Sequence, residues 1–324
     1  MSKRRDFMRI LGAALVGQPL ASLSQVREHG VVRLMVGFPP GATGDRIARA
    51  VAPVLAANVR SSVIVENKPG AGGQLAIEFA KSAPADGTVL LQTIGSSMVI
   101  YPHTYRNLRY DPIADFIPIG TIATAPVAFV AAANVPAATL RDAVTLIRRE
   151  RKAAFYGSPA SGSVFHFSGV LMERAMGVEF THVAFKGSAP LLTDVLSGQV
   201  PFAFMAPSDI LEHHRAGKLR ILAVTGQGRA AQLPDVPTFP EAGFKDMVSR
   251  EWFSYFLARG ASAETVSLYR TALRKVVLSD EVRMKLQAAG LEIGDGEAGP
   301  LAATMQREYA QWKQVVRDSG FTAE

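Results

Sequence analysis

From Val31 onward, short runs of β-branched and other apolar residues alternate with longer stretches whose apolar positions recur every three to four residues. That alternation is the pattern of βα units around a largely parallel sheet. It predicts strands at Val31–Phe38, Ser62–Glu66 and Thr88–Ile94, separated by helices at Asp45–Ala57 and Gln74–Ser82. Asp111-Pro112 and Phe116-Ile117-Pro118 then read as a turn and a chain crossing. A second series follows, with strands at Pro126–Ala131, Ala154–Tyr156, Thr181–Phe185, Phe202–Met205 and Leu219–Val224. Its helices are Thr139–Arg151, Val164–Met176 and Ala189–Leu196. After a proline-rich stretch, Leu233 to Pro240, come a strand at Trp252–Leu257 and two terminal helices. Two similar α/β halves are the simplest account, with no short-period repeat or low-complexity tract.

The N-terminus breaks this pattern. Lys3, Arg4, Arg5 and Arg9 precede the short apolar run Ile10–Val16, which ends at Gly17, Gln18 and Pro19. A basic region, an apolar core and a breaker form an export signal, and the run is far short of the ~20 residues that span a bilayer. Adjacent arginines followed by Asp6-Phe7-Met8 match a twin-arginine signal over residues 1–24, with the small residues Ser22 and Ser24 placing cleavage before Gln25. The protein is therefore expected in the periplasm.

Composition narrows the chemistry. The 324 residues are 48% hydrophobic, enough to bury the cores of two ordinary domains. The net charge of +7 falls to about +4 without the leader, and the densest basic run, Arg148 to Lys152, has no interleaved aromatics. Nucleic acid is not an expected partner. There is no cysteine, which removes disulfides, thiolate catalysis and iron–sulfur clusters together.

Four strand-to-helix connections carry the candidate chemistry. Phe38-Pro39-Pro40-Gly41-Ala42-Thr43-Gly44-Asp45 follows the first strand and opens a helix. The first N–H groups of a helix lack partners and its dipole is positive there, so this junction suits an anion, with Thr43 or Asp45 alternatively acting as caps. Asn67 to Gln74 repeats the arrangement with Gly70, Gly72 and Gly73; Leu75 stands where a dinucleotide fingerprint needs its third small residue. Ser161-Gly162-Ser163 leads into a helix carrying His166, and Lys186-Gly187-Ser188 opens the next, with Ser188 placed as its N-cap. Ser96 and Ser97 follow the third strand. Open α/β sheets bind ligands at such carboxyl edges, so the four loops can face one another across a cleft.

No Gly-x-Ser-x-Gly elbow or Walker loop is present, and the adjacent His213 and His214 leave a helix in different directions, unlike a chelating i, i+4 pair. His166 serving Ser163 is the remaining catalytic reading. Neither catalysis, a metal nor a cofactor is expected.

These segments together resemble the tripartite tricarboxylate transporter receptor family, the Bug family of periplasmic solute-binding proteins. The matches are the Pro-Pro-Gly loop ending at Asp45, the run from Asn67 to Gly73, Pro84 to Gly87, Tyr110 to Pro112, His182 to Ser188, Gly217 to Arg220, Leu233 to Thr238, Glu241 to Gly243, and Trp252. The resemblance implies a two-domain periplasmic-binding-protein-like α/β fold with its cleft between two mostly parallel sheets. Domain 1 would comprise 28–125 plus 250–324, and domain 2 would comprise 126–249. It implies capture of a small carboxylate and its delivery to a separate membrane permease, by a protein expected to be a monomer. Phe38 to Asp45 with Gly72 and Gly73 would line one wall, and Ser161, Gly162, Ser163 and Lys186 to Ser188 the other. A periplasmic sensing subunit that reports to a membrane kinase, or an enzyme on the same scaffold, are the alternatives. Ala42, Gly44, Ala184-Phe185 and Pro201 depart from the family pattern, and the hydroxyls lost at Gly44 and Phe185 point to weaker polar recognition or a more apolar ligand.

Overall fold

The computed structural model describes residues 30–323, so the proposed export signal lies outside the described residues. Two mixed sheets form two lobes. The first has the order β11-β4-β10-β3-β1-β2, from Glu292–Ile293, Phe116–Pro126, Arg250–Ala258, Val89–Ile94, Val32–Val36 and Val63–Asn67. The second has the order β7-β6-β8-β5-β9, from Thr181–Ala184, Phe155–Ser158, Phe202–Met205, Ala128–Ala132 and Leu219–Val224. Between the strands of the two sheets, among the described residues, parallel pairing is confined to β3-β1-β2 and β7-β6-β8, the strands whose ends carry the candidate loops. The remaining pairs are antiparallel because the chain leaves the first lobe along β4, enters the second along β5, and returns along β10.

Adjacent residues of the first sheet enter different cores. Leu34, Leu90 and Tyr255 pack with α1 (Thr43–Val59) and α9 (Ala263–Leu278), while Met35, Leu91 and Phe256 face the core containing α2 (Gln74–Ser82). Both faces are covered, which is why these strands read as nearly continuous apolar runs. The second core continues without a break into the second lobe, through Phe129, Phe202 and Phe204.

Phe116 to Pro118 does not mark the crossing that the sequence suggested; it begins β4, where Pro118 pairs with Phe256 at a register irregularity. A proline is tolerated at such a point because the ladder is already interrupted. The first crossing lies at Val127, between β4 and β5. The second is the segment between β9 and β10, and the two are stitched together at Thr225. Its N–H donates to the Val127 carbonyl at 2.9 Å, its Oγ1 accepts from the Val127 N–H at 2.8 Å, and the same hydroxyl donates to the Ser249 carbonyl at 2.6 Å.

Three helices rather than two close the chain: α9, α10 (Asp280–Ala288) and α11 (Ala298–Ser319). The last spans both lobes. Trp252 of β10 donates to Glu308 at 2.9 Å, while Trp312 packs against Phe167 of α6 (Val164–Met176), whose ring centroid is 5.8 Å away. Among the described residues, no helix is long and apolar enough to cross a membrane.

Candidate functional site

The first two junctions are locked together by glycines. A Cβ on Gly37 would lie 2.7 Å from the Gly73 Cα, so the end of β1 touches the second loop backbone to backbone. Phe38 is half-buried against Gly73, and its carbonyl accepts from Asn67 Nδ2 at 2.9 Å; Pro39 and Pro40 are exposed. Gly41 turns the chain with φ 82°, and its N–H donates to Asp45 Oδ2 at 2.9 Å. Burial pushes the Asp45 carboxyl up, but hydrogen bonds from Arg49 and Gly41 outweigh it and hold the group below the ordinary value. Neither Thr43 nor Asp45 caps α1; the N-cap is Ala42, which has no side-chain acceptor. Among the described residues, the amides of Thr43, Gly44 and Asp45 consequently have no acceptor. Gln92 Nε2 fixes the turn from below by donating to the Gly44 carbonyl at 2.6 Å.

The second junction meets the end of β3 at Tyr101, on the short helix α4 (Tyr101–Thr104). Its hydroxyl donates to the Gly72 carbonyl at 3.3 Å, and a Cβ on Gly72 would stand 2.6 Å from that oxygen. Gln74, at the start of α2, and Ser97, on α3 (Gly95–Val99), are buried around Tyr101 and Tyr105, yet Gln74 Nε2 and Ser97 Oγ have no hydrogen-bond partner of good geometry. Ser96 is fully engaged: its N–H and Oγ donate to the two carboxylate oxygens of Glu251 at 3.0 and 2.6 Å, and its Oγ accepts the Val164 N–H at 3.0 Å.

In the second lobe, the third-junction loop folds onto the fourth through Phe185 N–H to Ser158 O and Gly187 N–H to Pro159 O, both 2.9 Å. Ser161 is half-buried. Gly162, with φ 72°, donates its N–H to His166 Nδ1 at 3.2 Å and lies against Thr104 of the first lobe. Ser163 donates to Ala160 O at 2.7 Å, so it is not paired with His166. His166 stacks on His182 with ring centroids 3.8 Å apart, and His182 Nε2 bonds Ser158 Oγ at 2.7 Å. Burial, then the neighbouring His182, brings His166 down to about 3; burial alone brings His182 to about 4. Both rings are neutral over most of the working pH range. Lys186 is exposed, and Ser188 is the first residue of α7 (Ser188–Leu196), with Gly187 in the N-cap position assigned to Ser188 by sequence. The amides of Phe165 and His166, in the first turn of α6, have no acceptor among the described residues.

The sequence reading missed the residues that join the lobes across the cleft. Arg46 of α1 donates to Asp209 Oδ1 at 2.7 Å and to the Ser208 carbonyl at 3.1 Å, and Thr43 Oγ1 bonds Ser208 Oγ at 2.8 Å and Asp209 Oδ1 at 3.0 Å. Ser208 and Asp209 lie in the first turn of α8 (Pro207–Arg215). The proline at its first position was the available signal for that helix start. Among the described residues, no cluster of side chains could hold a metal ion. A depression of about 460 Å³ opens between β10, β11 and α11, lined by Arg250, Trp252, Thr304 and Glu308, and contains none of the four junctions.

Two mixed α/β lobes joined by crossing strands, with helix starts from both lobes meeting along one seam, define a two-lobed solute-binding protein. The sequence profile described as "Tripartite tricarboxylate transporter family receptor" matches residues 47–321, and the chain belongs to this family. It is 26% identical over 294 residues to Protein BugT of Bordetella pertussis, covering 89% of each chain. Among solved structures, it is similar to Rpa4515 of R. palustris with adipate, at 31% identity and TM-score 0.85, covering 90% of this chain and 98% of that one. It is also similar to MatC from Rhodopseudomonas palustris with bound malate, at 26% identity and TM-score 0.82, covering 89% and 99%.

Proposed function

We propose that the chain is a periplasmic receptor that captures a small organic carboxylate between its lobes and delivers it to a tripartite tricarboxylate-type permease. The observation that carries this reading is the set of unfilled amides at the starts of α1 and α6, one set from each lobe. Each presents unpaired N–H groups at the positive end of a helix dipole, which suits a carboxylate oxygen. The buried Ser97 Oγ and Gln74 Nε2, which lie near the Tyr101 and Tyr105 hydroxyls without a hydrogen bond of good geometry, add neutral donors beside the second loop. The adipate and malate bound by similar receptors support a dicarboxylate of about four to six carbons as the first class to test.

In this reading, Phe38 to Asp45, Gly72, Gly73, Ser96 and Ser97 form one wall, and Ser161, Gly162, Ser163, His166 and Lys186 to Ser188 the other. The closing units are 28–125 with 250–324, and 126–249; they pivot at Val127 and Thr225. Export follows the twin-arginine route, and the receptor acts as a monomer without covalent chemistry on its ligand. A thermal-shift screen against small carboxylates, with their esters as controls, tests it. At ~100 times its dissociation constant a ligand adds about 2.7 kcal/mol, a shift of several degrees. A shift with an acid and none with its ester supports the reading; no shift with any acid overturns it.

A further inference from the structure

Three elements meet at one point on the seam between the lobes. Thr104, at the end of α4, belongs to the first lobe; Gly162 and His166, before and in the first turn of α6, belong to the second; the third is the short segment that follows α11. Gly162 leaves room for the other two: a Cβ there would stand 3.1 Å from Thr104 Oγ1 and 3.7 Å from the Phe321 ring.

Helix α11 reaches this point along the first lobe. It packs against β4, α3 and α4, and the Tyr309 carbonyl bonds His103 Nε2 of α4 at 2.9 Å. Gly320 ends the helix with φ 68°, a left-handed conformation that reverses the chain. The Phe321 N–H is then fixed on Ser319 Oγ at 3.1 Å. The reversed segment has two attachments. Phe321 sets its ring at 78° to that of His166, centroids 4.4 Å apart, with Phe167 at 6.0 Å. Two residues later, the Ala323 N–H donates to the Thr104 carbonyl at 2.8 Å, and Ala323 pairs with Tyr105 in a parallel bridge.

We infer that Phe321 to Ala323 form a strap across the seam, in which Phe321 is a positioning residue that holds the Gly162–His166 wall of the second lobe against the first. The inference rests on the two-lobed receptor reading and goes beyond it by giving residues outside the four junctions a part in closure.

Connectivity carries the argument. Two residues of extended chain span at most ~7 Å, so a strap with Phe321 on one lobe and Ala323 on the other has no slack. Separation of the lobes must therefore release one end or the other. Thr322, between the two attachments, is exposed. Asp318 also approaches Arg174 of α6, at 3.8 Å, but both are partly exposed and such a pair contributes little. The ring contact on the buried His166 is the stronger second-lobe attachment of this segment.

Small-angle scattering of the ligand-free protein at neutral pH, where His166 is uncharged, reads the closed-to-open ratio. Phe321→Ala is expected to expand the protein, lowering that ratio about 10-fold. Phe321→Tyr, which keeps the ring, is expected to hold the wild type's dimensions. Ala323→Pro, without the N–H that meets Thr104, is expected to expand the protein as well. Because loss of either end releases the strap, the double variant is expected to be no more open than the more open single variant. Wild-type dimensions in Phe321→Ala, or additive opening in the double variant, overturn the inference. A measurement on the wild type needs no variant: a nuclear Overhauser contact between the ring protons of Phe321 and His166 is expected in the ligand-free protein, and its absence overturns the inference as well. No ligand is used, so failure here is distinct from failure to bind a carboxylate.

Discussion

The Arg46 guanidinium of α1 lies 2.7 Å from the Asp209 carboxylate of α8, an ion pair that crosses from one lobe to the other. Asp209 is nearly buried and Arg46 is about one-third exposed, and the pair shares its site with the Thr43 and Ser208 hydroxyls. The carboxylate of Asp209 thus occupies the flank of the same helix start whose amides remain unfilled.

Removing this pair should open the ligand-free protein. Partly exposed ion pairs contribute about 1 kcal/mol or less, so Asp209→Ala is expected to lower the closed-to-open ratio by up to ~5-fold. Ligand affinity should fall by a similar factor if the closed form is the competent one. Scattering dimensions in low and high salt check this: the wild type should expand with salt and the variant should not.

Gly169 sits where α6 crosses Tyr156 of β6. A Cβ there would fall 1.9 Å from the Tyr156 ring, and the tyrosine hydroxyl is held by the His166 carbonyl at 2.8 Å, so the ring cannot swing away freely. Gly169→Ala is expected to destabilise by ~1–3 kcal/mol despite alanine's better helix propensity. Urea unfolding measures it; an unchanged or raised midpoint would show that α6 is not held by this contact.

The histidine stack makes the protein acid-sensitive. A folded His182 titrating at about 4 binds fewer protons than the unfolded chain below pH 6.5, so stability is lost as pH falls from 6.5. Glu251, raised to about 7, works in the opposite direction over part of this range. The informative quantity is therefore a difference between proteins. The change in unfolding free energy from pH 7 to pH 5 should be more favourable by about 1–2 kcal/mol in His182→Gln than in the wild type.

Much of the architecture was legible because period-two and period-3.6 patterns report burial directly. Val164–Met176, Phe202–Met205 and Leu219–Val224 fall where the pattern puts them. The four junctions were legible for the same reason: glycines, prolines and small hydroxyls cluster where strands end. What stayed hidden depends on contacts between distant segments. Asp209 belongs to no motif in the sequence, and only the approach of α1 gives it Arg46 and Thr43 as partners. Glu251, inside an apolar strand, offered a faint signal as a charge in a buried run, but its serine partner lies 155 residues away. The crossing was misplaced at Phe116 because Pro118 mimics a strand break, although Pro126 stands directly before the crossing at Val127.

The most direct measurement is a calorimetric titration of the protein with adipate and with malate, followed by mass spectrometry of the acid released on unfolding. The account predicts saturable binding of a carboxylate at one site per chain, no binding of the corresponding diester, and recovery of the acid unchanged. Absence of binding by either acid and by the wider carboxylate panel, or recovery of a converted product, would contradict it.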